Sequence, residues 1–158
     1  MMKAFHANDD GTLSAELDGE EAHLIQTLAA QIRELVRSAP ESTAGDPALA
    51  RLFPAAYSDD AEASAEFRRY TAADLVDRKV HNAMVVHDTI ERGLPTGGVT
   101  LSPEETVAWL KTINDIRLTL AARLGIDDGA GTAVDPVLRD LYDWLGFVQN
   151  SLLEVLDG

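Results

Sequence analysis

The sequence predicts a mainly α-helical protein with a small β element. Apolar residues recur at helical spacing through most of the chain, and several of these stretches open with a helix-capping sequence. Only the N-terminal residues and one short β-branched stretch at residues 98–101 have the pattern of strands. We therefore expect an orthogonal bundle of about five helices with an N-terminal β-hairpin and a candidate third short strand, forming a single domain over residues 1–158.

Composition limits the chemistry open to this chain. It contains no cysteine, which excludes disulfides, thiolate ligands and a thiol switch within the chain. Its formal net charge is −14, from 27 acidic and 13 basic residues, so most of its surface would repel nucleic-acid phosphates. We expect no direct nucleic-acid contact, and the acidity either keeps the protein in solution or attracts a basic partner. No apolar run of membrane-span or signal-peptide length is present, which predicts a cytoplasmic protein.

The N-terminal residues predict a β-hairpin. Residues 3–7 and 12–17 flank Asn8-Asp9-Asp10-Gly11, and an Asp-Gly pair suits the positive φ that a tight hairpin turn requires. Because an isolated hairpin is only marginally stable, it must pack on helices or find a third strand. Residues 98–101 are the candidate third strand.

Four helical segments are predicted in the middle of the chain, over residues 18–37, 46–53, 59–69 and 71–92. Asp18 with Glu21 forms a capping-box sequence at the first of them. Thr71 with Asp74 predicts a fresh helix start after the short third segment. The fourth helix is predicted to end at Gly93, which is followed by Leu-Pro.

Two further amphipathic helices complete the predicted fold. Ser102-Pro103-Glu104-Glu105 combines a cap, a first-turn proline and a capping-box glutamate, and Gly125 follows as a stop. The last helix carries an apolar seam with alternating spacings of three and four, formed by Leu138, Leu141, Leu145, Val148 and Leu152. This seam indicates a core helix of a monomer, with a coiled-coil homodimer as the alternative.

No motif for catalysis or metal binding stands out in the sequence. No serine lies in a G-x-S-x-G elbow, and no glycine pair continues into a phosphate-binding loop. His81 and His87 are six residues apart, a spacing that places them on different faces of a helix. We therefore predict a non-enzymatic protein with no catalytic residues, no metal site and no cofactor.

A local positive spot is predicted in this acidic chain, formed by Arg68, Arg69, Arg78 and Lys79. These residues either neutralise helix C-termini and pair with Asp74 or Asp77, or contact an acidic partner or a phosphate. Arg117 lies on the apolar stripe of its helix. We expect Asp140 or Asp143 to form a structural ion pair with it, because an unpaired buried charge is costly.

Several strings of residues resemble a family of small actinobacterial proteins. The strings are DPALARLFP at 46–54, EFRRYT at 66–71, LSPEE at 101–105, AWL at 108–110, NDIRL at 114–118 and YDWL at 142–145. They follow one another in the family's order over most of the chain, and the predicted hairpin fits the family's usual opening. Some members of this family are described as oxidative-stress regulators of the AosR type.

The resemblance implies a cytoplasmic bacterial regulator of transcription that acts through a protein partner, for example a sigma factor or RNA polymerase. It also implies genomic association with a Clp-protease adaptor and with sulfur-carrier-dependent cysteine synthesis. A thiol switch is the natural sensor for such a regulator, and this chain has no thiol. Oxidant sensing would then lie in the partner or in Met84.

Three other functions stay open from the sequence. A winged-helix-like protein that contacts DNA directly would need a concentrated basic face. A small enzyme or ligand-binding protein linked to cysteine biosynthesis would need a deep pocket, with His87, Arg117 and Tyr142 as candidate lining residues. An assembly protein that forms a homodimer through its last helix would expose the apolar seam in the monomer.

Overall fold

The computed structural model describes residues 3–38, 52, 65–125 and 135–157, and of residues 65–72 the backbone alone. Within these ranges the protein is mainly helical, with four α-helices and one small sheet. In chain order the elements are β1 (His6–Ala7), β2 (Leu13–Glu16), α1 (Gly19–Arg37), α2 (Ala65–Gly93), a 3-10 turn (Leu94–Thr96), β3 (Gly98–Leu101), α3 (Pro103–Leu124) and α4 (Pro136–Asp157).

The predicted hairpin and its third strand both form. Gly11 adopts a φ of 88°, and the backbone N–H of Asn8 donates to the carbonyl of Thr12 at 2.8 Å to close the turn. The sheet is antiparallel in the order β1-β2-β3. Strands β2 and β3 pair from Leu13, opposite Leu101, to Glu16, opposite Gly98. The strand β1 has only two residues, so the longer pairing of β2 with β3 supplies most of the ladder.

Helix α2 corrects the predicted break at Thr71. Residues 65–93 form one helix of 29 residues, where the sequence predicts separate helices at 59–69 and 71–92. The chain has neither glycine nor proline between residues 65 and 92, so nothing in its backbone chemistry stops a helix there. The described residues therefore contain four helices rather than about five. The helix predicted at 46–53 lies outside the described residues except for Leu52, which is buried.

Helix α3 is the central helix of the described structure. It packs against α2 and α4 and buries most of its circumference, and it leaves exposed a narrower face that carries Val107, Lys111 and Asn114. Several of the buried residues are threonines, and the hydroxyls of Thr106 and Thr119 donate to the carbonyls of Ser102 and Asp115, one turn earlier. The backbone of α3 thereby satisfies the hydroxyl groups of these two buried side chains.

The apolar seam of α4 faces the core of the monomer. Leu145, Val148 and Leu152 are fully buried, and Leu138 and Leu141 are partly buried against the same cluster. Burial of three seam residues inside one chain removes them from the surface that a dimerising helix would offer.

The C-terminus of α2 is joined to the start of α3 by an ion pair. The guanidinium of Arg92 donates two hydrogen bonds of 3.0 Å to the two carboxylate oxygens of Glu105 and a third, of 2.7 Å, to the carbonyl of Thr100. Glu105 also accepts from the backbone N–H of Ser102 as part of the capping box of α3. The hydrogen bonds from Arg92 hold the pKa of Glu105 below its ordinary value.

Glu105→Gln tests this junction. The lowered pKa means that the ionised carboxylate stabilises the folded state above the unfolded-state value of 4.5, and that this stabilisation is lost as the pH falls through the lower folded-state value. We expect the variant to lose about 1–3 kcal/mol of unfolding free energy near neutral pH. Urea denaturation should show the difference from the native protein shrinking below pH 4.5. Glu104→Gln, at the exposed neighbouring position, is the control, and equal losses from the two variants would contradict the account.

Gly93→Ala tests the close approach of α2 to β3. A Cβ atom at residue 93 would overlap the carbonyl oxygen of Gly98, a backbone atom that cannot rotate away. We expect a loss of about 1–3 kcal/mol of unfolding free energy, the usual cost of overpacking. Gly19→Ala is the matched control, because a Cβ there meets nothing within 4 Å. A variant Gly93→Ala as stable as Gly19→Ala would show that the helix–strand contact is not as tight as described.

Candidate functional site

A polar cleft of about 240 Å³ lies between α2 and α3. Its lining residues are Leu75, Arg78, Lys79 and Asn82 from α2, and Lys111, Asn114 and Asp115 from α3. The spacings of three, four and seven residues place each set on one face of its helix. The cleft is therefore the groove between two packed helices, and its geometry follows from their packing.

The deepest polar contact in this cleft is an ion pair. The ammonium of Lys79 lies 2.8 Å from a carboxylate oxygen of Asp115, and the two side chains are 16% and 8% exposed. Burial raises the pKa of Asp115, while the hydrogen bond and charge of Lys79 act in the opposite direction. Lys79 thus keeps a buried carboxylate compensated, which is a structural role between helices that the sequence did not reveal.

The rim of the cleft carries exposed cations. Arg78 lies 3.2 Å from Asp74, one turn earlier on α2, and both side chains are largely exposed. Lys111 is exposed and forms no ion pair with any residue that the structure describes. The amides of Asn82 and Asn114 also line the cleft. The cleft therefore offers more hydrogen-bond donors than acceptors.

The structure brings together two of the four residues of the predicted positive spot. Arg78 and Lys79 both line the cleft, although Lys79 pairs with Asp115 on α3 rather than with Asp74 or Asp77 on its own helix. Arg68 and Arg69 lie in the first turns of α2, and their side chains fall outside what the structure describes.

Arg117 does not form the ion pair predicted for it. Asp143 pairs instead with Arg139 on its own helix, at 3.5 Å, and Asp140 is exposed. Neither carboxylate lies within ion-pair distance of Arg117 in the described part of the chain. The prediction was wrong because it considered only carboxylates as partners for a partly buried guanidinium.

Aromatic and amide groups take the place of that carboxylate. The guanidinium of Arg117 stacks 4.1 Å above the centre of the Tyr142 ring and donates to the side-chain oxygen of Gln149 at 2.9 Å. Gly146 leaves room for it, since a Cβ there would lie 3.0 Å from a guanidinium nitrogen. Arg117 therefore joins α3 to α4 through one face of α4.

The remaining predicted chemical groups do not converge on a pocket. Arg117 contacts Tyr142, but His87 is half exposed on α2 with its ring nitrogen 3.3 Å from Asp88. Among the described residues, no group of three or more His, Asp or Glu side chains is placed to hold a metal ion. Met84, named as a candidate for oxidant sensing, is 41% exposed on α2.

The fold and the cleft define a mainly helical protein with an open polar groove between two of its helices. This chain belongs to the family described as "Domain of unknown function (DUF2017)", whose model matches residues 2–156. It is 30% identical over 129 residues to the "Putative oxidative stress regulator AosR" of Mycobacterium leprae, a match that covers 70% of this chain and 58% of that relative. The resemblance inferred from the sequence strings is thereby confirmed.

Three further findings accompany the family assignment. The match spans less than two thirds of the length of the relative from Mycobacterium leprae. No solved structure matches the chain. Among the helices that the structure describes, none combines the length and apolar character needed to cross a membrane.

A double-mutant cycle on Lys79 and Asp115 tests the ion pair beneath the cleft. Asp115→Leu leaves a mostly buried ammonium unpaired, and Lys79→Met leaves the buried carboxylate unpaired. We expect each single variant to lose roughly 3 kcal/mol of unfolding free energy, and the double variant to lose less than either. Urea denaturation of the four proteins measures the coupling. Losses that simply add would show that the two charges do not compensate each other.

Proposed function

We propose that this protein is a non-enzymatic regulator that acts by direct contact with another protein in the bacterial cytoplasm. The relative named as a putative oxidative stress regulator supports a role in the response to oxidants. A sigma factor or RNA polymerase is the partner that this role favours. Because the chain has no cysteine, the proposal places thiol-based sensing in the partner.

The α2–α3 cleft is the observation that carries this proposal. Its volume of about 240 Å³ is below the range of roughly 300–1,000 Å³ in which small-molecule ligands are usually enclosed. Arg78, Lys111 and Asn114 are exposed at its rim, so the cleft opens to solvent along the helices. A groove of this size and openness suits one or two side chains of a protein partner better than an enclosed substrate.

The charges of the described residues favour a protein contact over direct DNA binding. Arg78, Lys79 and Arg92 each lie in an ion pair with a carboxylate, Asp74, Asp115 and Glu105 respectively. A DNA-binding face needs several cations free to neutralise phosphates, and a chain with a net charge of −14 opposes that approach. We therefore do not propose a DNA-contacting function.

Affinity capture from the native host tests the proposal. The tagged protein and its variant Arg78→Glu/Lys111→Glu are captured from stressed and unstressed cells, and mass spectrometry identifies what co-purifies. We expect a sigma factor or RNA polymerase with the native protein, and about tenfold less with the variant, which corresponds to roughly 1.4 kcal/mol of binding free energy.

Arg123→Glu is the control for that experiment. It makes the same charge reversal at an exposed position of α3 that does not line the cleft, and circular dichroism confirms that each variant is folded. Loss of the partner from both variants would refute the cleft as the contact. Enrichment of cysteine-synthesis or Clp components in place of the transcription machinery would refute the proposed regulatory role.

A further inference from the structure

We propose that the α2–α3 cleft binds an acidic segment of the partner protein, whose carboxylate side chains are held by Lys111, Arg78 and the amides of Asn82 and Asn114. This inference rests on the proposed function, in which the cleft is the partner contact. It adds the chemistry of the occupant, which neither the family description nor the named relative states.

The hydrogen-bonding groups of the cleft favour a ligand rich in acceptors. Arg78, Lys79 and Lys111 can only donate, whereas Asp115 is the single carboxylate among the lining residues that the structure describes. Lys79 already satisfies Asp115 at 2.8 Å. The donors left over at the rim are those of Lys111 and part of those of Arg78, and a carboxylate is the protein group that matches them best.

The arrangement of the rim suits a segment of chain rather than a single ion. On α2, Arg78 and Asn82 are one turn apart, and on α3, Lys111 and Asn114 are one turn apart. Each wall therefore presents a cation followed by an amide along the groove. Leu75 lines the cleft on the α2 wall and is partly buried. An acidic segment with an apolar residue beside its carboxylates fits this combination of charge, amide and apolar surface.

The net charge of −14 opposes an acidic ligand at long range, as it opposes DNA, and the cleft can favour such a ligand only at short range. Charges separated by more than about 8 Å are largely screened at physiological ionic strength. The nearest groups then decide the interaction, and Lys111 is the cation at the cleft rim that has no ion-pair partner among the described residues. A basic partner would instead be attracted to many acidic parts of the surface without preference for the cleft.

Asp115 competes with the incoming carboxylates for Lys79. Its carboxylate is the one lining group that repels an acidic ligand, and it occupies the ammonium that could otherwise reach that ligand. Replacing Asp115 by asparagine removes the repulsion and frees Lys79. The proposal therefore predicts a variant with tighter binding, a result that damage to the fold would not produce.

Fluorescence anisotropy with a labelled peptide tests the inference on the full chain. The probe is a short Glu-rich peptide that contains one leucine, compared with the same peptide carrying Gln for Glu and with a Lys-rich peptide. We expect the Glu-rich peptide to bind most tightly, Lys111→Glu to weaken it about three- to tenfold, and Asp115→Asn to strengthen it. Arg123→Glu, on the same helix outside the cleft, should leave the affinity nearly unchanged.

Several outcomes would overturn the inference. Equal binding of the Glu-rich and Gln-rich peptides would exclude carboxylate recognition. Equal weakening by Lys111→Glu and Arg123→Glu would show a general charge effect, and preference for the Lys-rich peptide would show that the occupant is basic. If the affinity capture recovers the transcription machinery but the Glu-rich peptide does not bind, only the inference of an acidic segment in the cleft is refuted. Binding of the Glu-rich peptide without capture of the transcription machinery would refute the proposed regulatory role, but it would support carboxylate binding in the cleft.

Discussion

The side chain of Trp109 sets how α2 and α3 pack against each other. Its indole is fully buried in α3, and its N–H donates to the hydroxyl of Thr89 on α2 at 2.8 Å. The ring of Phe5 packs edge-on against the indole, with the two ring centroids 5.8 Å apart, and the backbone N–H of Phe5 donates to the hydroxyl of Ser151 on α4. A buried indole N–H without an acceptor is costly, so this contact holds α2 and α3 in one relative position.

Two other contacts continue the same antiparallel register of α2 and α3. Arg92 meets Glu105 on one side of the tryptophan, and Lys79 meets Asp115 on the other, so residue numbers fall along α2 as they rise along α3. The cleft lies over the last of these contacts. Its cations are therefore presented by two helices whose register is set by these three contacts, which is the support that a specific binding surface requires.

The sequence predicted the features that depend on neighbouring residues. Gly11 after Asp10 determines the hairpin turn, and Ser102 with Glu105 determines the start of α3, because both are local hydrogen-bonding arrangements.

The pairing of Lys79 with Asp115 was missed because it depends on helix register, which no local pattern encodes. The partners of Arg117 were missed because an aromatic face and an amide replaced the expected carboxylate. The helix start predicted at Thr71 was wrong because its capping sequence lies inside a continuous helix.

Photo-crosslinking in cells of the native host shows whether the partner protein contacts the α2–α3 cleft. A benzophenone amino acid replaces Asn114 in the cleft or, as the comparison, Gln31, which is exposed on α1. Contact at the cleft predicts a crosslinked adduct with a component of the transcription machinery from position 114 and none from position 31. An adduct from position 31 and none from position 114 would contradict it, because the contact would then lie on another face of the protein.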